Sequence, residues 1–195
     1  MTALPVLSVD EFVTLARKVR PSAHSIYHCT YPYLLQFAES VEEFDPNTFV
    51  QIAHMAYGWM PTRLTQSGSD ESFLHCAQIL NCAKKDGGLP GRSLEMLAAS
   101  INNSIIGASK VLHFVNPTNF AIWDRHVFRA IHKRRHSADD IKSADNYAAY
   151  LTWLGELTDD RRFTPIYGGI CEALGYEVTK LRAAEVVLFE SSRAS

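Results

Sequence analysis

Apolar residues recur along this chain at three- and four-residue intervals, and no useful stretch alternates with period two. That is the spacing of one helix face, so the pattern predicts an all-α fold. Ser8-Val9-Asp10-Glu11 has the form of a capping box. It opens a helix to about Val19, with Phe12, Leu15, Ala16 and Val19 on one face, and Pro21 stops it. Residues 33–41 form a second helix. Asp45-Pro46 reads as a cap with proline at the first helical position, followed by Phe49, Ile52, Ala53 and Ala56 at helical spacing as far as Gly58 and Pro61. Asp70-Glu71 opens another helix that closes at Asp86-Gly87-Gly88, and residues 94–101 form the next. A break at Asn102-Asn103-Ser104 leads to a short helix beginning after Gly107 and ending before Pro117. Asp124 caps a helix running to about Arg135. Residues 143–157, with Tyr147, Tyr150, Leu151 and Leu154 inward, then 165–174 and 179–189 complete the set. Residues 65–69 are expected to form a flexible surface loop.

Composition narrows the class. With 195 residues, 47% of them apolar and 21% charged, the chain is globular and large enough to bury a core without a metal or disulfide staple. Apolar runs such as Val186-Val187-Leu188-Phe189 fall far short of the roughly 20 residues a membrane-crossing helix needs. The first residues lack the basic segment of a secretion signal, so a cytoplasmic location and no membrane partner are expected. Cys29, Cys76, Cys82 and Cys171 have no metal-site spacing and read as free thiols in a reducing compartment. A net charge of −2 excludes a global basic field.

A local basic field remains, and the chemistry concentrates in the same place. Residues 104–135 run from an apolar lead-in (Ile105, Ile106) through a Gly-containing turn (Gly107-Ala108-Ser109-Lys110) and a short helix. A proline-bearing loop then leads to Ile122-Trp123-Asp124 and a helix carrying Arg125, Arg129, Lys133, Arg134 and Arg135. No acid intervenes before Asp139. The segment Trp123-Asp124-Arg125-His126-Val127-Phe128-Arg129 resembles the helix-hairpin-helix DNA glycosylase superfamily, the group of endonuclease III, the adenine glycosylase MutY and the 8-oxoguanine glycosylases. In that group a hairpin of the form L-P-G-V-G-x-K-T-A precedes an apolar-Asp-x-His-Val-x-Arg segment. Here Gly107 is the one hairpin glycine retained, Ser109 stands near the second, and no proline precedes them.

The resemblance implies one two-lobed helical domain over residues 1–195, with the hairpin and Asp124 at a cleft. It implies double-stranded DNA as partner, with no obligate protein partner and no cofactor. The four-cysteine iron–sulfur cluster of some members is absent, because one cysteine follows Cys82. Asp124 is the leading catalytic candidate. The amides and dipole of a helix N-terminus favour negative charge there, and a carboxylate beside C1′ can stabilise a developing oxocarbenium ion and orient water. Taken alone, an aspartate at this position is more often a plain N-cap. Lys110 can be a Schiff-base amine, a phosphate contact or a solvated lysine. The resemblance leaves it one position out of register, which favours a monofunctional enzyme.

Gly107, Ser109, Arg125, His126 and Arg129 are the expected DNA contacts, through turn amides and positive charge. Arg125 and Arg129 lie in the first two turns, where helix-dipole compensation does not explain a cation, whereas Lys133 to Arg135 fit an ordinary basic C-terminus. Base excision requires an everted base held between aromatic walls. Tyr57 and Trp59, on the turn with Met60 and Pro61, and Tyr31, in a tyrosine-rich segment with Tyr27 and Tyr33, are pocket candidates, as is Trp123. Gln36 and His54 are possible base-edge readers. The expectation is a DNA glycosylase acting on a modified or damaged base, with glucosylated hydroxymethylcytosine of phage DNA as one substrate class. The alternative is a non-catalytic helical DNA-binding module.

Overall fold

The computed structural model describes residues 7–59, 62–66, 68–89, 91–134 and 137–193. Among them the chain is all-α. The elements are α1 (Val9–Ala16), α2 (Ile26–Cys29), α3 (Tyr31–Ser40), α4 (Pro46–Trp59), α5 (Asp70–Asp86), α6 (Ser93–Ser100), α7 (Ile105–Val115), α8 (Arg125–His132), α9 (Ala138–Lys142), α10 (Ala144–Asp159), α11 (Phe163–Leu174) and α12 (Lys180–Arg193). Many ends follow from capping chemistry. Ser8 and Glu11 form the expected capping box, Ser69 caps α5, and Gly87 and Gly175 close α5 and α11 in left-handed conformation. Helix α8 stops earlier than its basic run suggests, because Lys133 turns to φ 50° and closes the helix through its amide on the Arg129 carbonyl. Helices α2 and α9 are too short to leave a periodic signal.

The chain divides into two compact units, residues 29–121 and the combination of residues 1–28 with 122–195. In the 29–121 unit, α7 is the central helix, packed by α3, α4, α5 and α6. Every residue of α7 except Ile106 is buried. Its start differs from expectation. The turn joining α6 to α7 is Ile101 to Ser104, with Asn102 (φ 55°) and Asn103 (φ 49°) supplying the left-handed backbone that asparagine tolerates. Ser104 is the N-cap, and its hydroxyl accepts from the Gly107 amide at 3.1 Å. Gly107 is therefore helical. A Cβ there would lie 2.4 Å from the Tyr57 hydroxyl oxygen and 2.8 Å from Ile101 Cγ2, so the missing side chain serves close helix packing. Residues 62–66 are not a loose loop either. Gln66 bridges Ile101, Asn102 Oδ1 accepts from the Thr65 amide at 2.6 Å, and Asn102 Nδ2 donates to the Arg63 carbonyl at 3.0 Å.

In the other unit α12 is central, with α1, α8, α10 and α11 against it. Residues 181–188 of α12 are all buried, including the ion pair Arg182–Glu185, whose side chains are 3% and 2% exposed. Two desolvated charges are tolerable because they neutralise each other one helical turn apart.

Two stability measurements test these packings. Gly107→Ala is expected to cost about 1–3 kcal/mol in chemical denaturation, the range for overpacking, and Tyr57→Phe in the same chain to recover part of that by removing the nearest atom. Glu185→Ala is expected to cost about 3–5 kcal/mol, whereas the double replacement Arg182→Met with Glu185→Leu costs much less, because no charge is then left buried.

Candidate active site

Asp124 sits on extended backbone (φ −154°, ψ 179°) as the N-cap of α8. Its Oδ1 accepts from the amides of His126 at 2.8 Å and Val127 at 2.9 Å. Oδ2 takes no hydrogen bond among the described residues, although the residue is only 8% exposed. Two neighbours hold the segment in place. The Trp123 indole donates to the Ile141 carbonyl at 3.2 Å and packs against Phe128 and Tyr150. The Tyr150 hydroxyl donates to the Ile122 carbonyl at 3.2 Å. Burial first, then the carboxylate of Glu185 and, to a lesser degree, that of Asp124, push the Tyr150 phenol well above its ordinary range, so it remains a donor. Trp123, expected in a base pocket, is 1% exposed and is instead a wall that positions Asp124.

The basic run separates into two groups. Lys133 pairs with Glu11, and Arg134 makes a two-point contact with Asp140 at 2.8 and 2.9 Å while lying over the Phe128 ring. Arg125 and Arg129 are exposed and carry no ion pair among the described residues. Arg135 and His136 lie outside those residues. His126 is half-buried, edge-on to Phe189 with ring centroids 5.3 Å apart, and its Nδ1 is 3.4 Å from the Ser192 hydroxyl. Burial lowers its pKa. The Asp124 carboxylate opposes that shift, and Arg125, Arg129 and Arg193 reinforce it. His126 is thus neutral at pH 7.

The remaining candidates belong to the 29–121 unit. Gly107 and Ser109, expected to offer turn amides to a phosphate, are buried within α7. Ser109 is 0% exposed with its hydroxyl donating to the Ile106 carbonyl at 2.8 Å, so both are packing residues. Lys110, on the second turn of α7, is 7% exposed. Tyr57 is buried against Gly107, its hydroxyl meeting the Ser104 and Asn102 side chains. Tyr31 is also buried, and its hydroxyl lies 2.9 Å from His113 Nε2. His113 Nδ1 faces the Phe120 carbonyl at 2.7 Å. A carbonyl only accepts, so Nδ1 carries the proton and Nε2 accepts from Tyr31. Trp59 and Phe114 complete this aromatic cluster, with centroids 5.4 Å apart and Tyr31 within 6.3 Å of Trp59. Tyr33 is 74% exposed, Gln36 and His54 are exposed, and Met60 and Pro61 fall outside the described residues.

No family model, curated protein or solved structure matches the chain. The reading of the site therefore rests on its own chemistry. Among the described residues no group of His, Cys, Asp or Glu side chains converges as a metal site, and no cysteine forms a disulfide. Sequence reasoning placed Asp124 at this helix start and missed Tyr150, which holds the Ile122 carbonyl, Glu185, whose charge acts on Tyr150, and Arg193, whose charge acts on His126. A signal existed for one of them, because Glu185 interrupts an otherwise apolar stretch of the last helix.

The His126 shift has a testable sign. Its folded pKa lies below the unfolded value near 6.5, so the stabilisation of the neutral ring is complete above that pH and is lost as pH falls. Denaturation at pH 7 and pH 5 should show wild type losing more stability on acidification than His126→Gln.

Proposed function

We propose that the protein is a DNA glycosylase with a glycosylase-like helical fold. It binds duplex DNA, takes a modified base out of the stack and hydrolyses its N-glycosidic bond to leave an abasic site. The observation that carries the reading is the Asp124 carboxylate, nearly buried, with Oδ1 committed to two amides and Oδ2 not hydrogen-bonded among the described residues. Such a group can face a cation at C1′ and accept a proton from water. In the reaction the C1′–N bond breaks with its electron pair leaving on the base nitrogen. A water oxygen bonds to C1′, and the water's proton passes through the carboxylate to solvent or base.

Three further observations support this reading. The segment 123–129 has the motif of the superfamily it resembles. Arg125 and Arg129 leave two exposed cations beside the carboxylate, suited to phosphodiester oxygens. Two helical units, one containing a helix–turn–helix with left-handed residues at its turn, agree with the two-lobed architecture. Simple hydrolysis is preferred to a Schiff-base route because the resemblance leaves Lys110 one position out of register. The base is proposed to be a modified one, with glucosylated hydroxymethylcytosine among those to test first.

Asp124→Asn is the decisive variant, because asparagine caps a helix as well as aspartate but exchanges the charged second oxygen for an amide that cannot take a proton. Duplexes carrying a panel of modified bases are incubated with enzyme, and freed bases are read by mass spectrometry. Wild type should release base. Asp124→Asn should be slower by about 100- to 1,000-fold, the scale of losing one preorganised electrostatic group, with DNA affinity unchanged or higher. Release at the wild-type rate refutes the mechanism. Salt-dependent binding with no release from any duplex favours the non-catalytic DNA-binding alternative.

A further inference from the structure

Arg193, in the last turn of α12, is a residue the motif around Asp124 does not include. Its guanidinium lies 5.4 Å over the Phe189 ring and 5.8 Å over the Tyr27 ring. Phe189 is also the ring that His126 meets edge-on at 5.3 Å, and Ser192 reaches His126 Nδ1. One aromatic side chain thus brings the last turn of α12 to the first turn of α8, where Arg125 precedes His126 and Arg129 follows in the next turn. The charges of all three arginines act on His126. The acid that faces Arg193 is Glu190, whose Oε1 lies 3.6 Å from Arg193 and 3.1 Å from His28 Nε2, while the Asp124 carboxylate also acts on His126. The His28 hydrogen bond holds the Glu190 carboxyl below the usual carboxylate range.

From this arrangement we infer that Arg193 joins Arg125 and Arg129 in binding a backbone phosphodiester of the DNA, with Glu190 as its placeholder in the free protein. The inference rests on the glycosylase reading for the identity of the ligand. The geometry suits exchange. Arg193 is 44% exposed and its ion pair is long, so the pair contributes little and is readily given up. A phosphate offers a guanidinium two oxygens in its own plane. Stacking on two rings fixes the guanidinium beforehand, which limits the side-chain entropy lost on binding.

The test is fluorescence anisotropy of the full chain with a labelled duplex across a salt series. Arg193→Gln should bind several-fold more weakly, with the slope of log affinity against log salt reduced by about one. Arg193→Lys should keep the slope, and Glu190→Gln should bind more tightly. An Arg193→Gln slope equal to wild type, while Arg125→Gln and Arg129→Gln lower theirs, overturns this assignment and leaves the glycosylase reading standing. Equal loss in Arg193→Lys and Arg193→Gln also overturns it, because stacking and not charge would then be the function of the residue. Wild-type protein without salt-dependent DNA binding overturns both readings.

Discussion

A carboxylate cannot be taken out of water unless something replaces its hydration, and Asp124 meets that constraint with two backbone amides. Those amides are orphans of helix geometry, so the compensation is built into any helix that begins here. The cost appears in the preceding residues, which must stay extended. Trp123 and Tyr150 supply that restraint through hydrogen bonds to the Ile141 and Ile122 carbonyls. The position of the carboxylate is thus set by a helix start and two aromatic donors, none of which has to touch a substrate.

The helix that carries Tyr150, α10, packs in turn on α12. A helix buried on every side is expected to be apolar throughout, yet α12 carries Arg182 and Glu185 in its most enclosed stretch. Their mutual neutralisation keeps the helix buried. Tyr150 is buried on α10, and burial keeps its phenol protonated, the form that donates to the Ile122 carbonyl.

Much of the fold was legible because helices announce themselves by apolar spacing and by end residues with definite chemistry, as at Ser8, Gly87 and Asp124. The turn before α7 was misplaced for an equally physical reason. Glycine serves both left-handed backbone and close helix contact, and the pattern alone does not say which; at Gly107 it is contact with Tyr57, while Asn102 and Asn103 make the turn. Asp124 was legible as a cap and as part of a motif. The fate of the basic run was not, because Lys133 finds its partner in Glu11, 122 residues away. Aromatic residues on turns were a poor guide to a pocket, since Tyr31, Tyr57 and Trp123 all satisfy their polar ends inside a core.

The division of the cations bears on how an anionic group can act on an anionic polymer. Asp124 repels the phosphates of any DNA brought to it, and the chain as a whole is net negative. Lys133 and Arg134 give little relief, because each is committed to a carboxylate of its own. His126 gives none at neutral pH, because its burial and the adjacent arginines keep it uncharged. What remains beside the carboxylate is Arg125 and Arg129, cations that no described acid holds. A protein that must bring a phosphodiester chain up to that carboxylate needs positive charge there, close enough that salt screens it little.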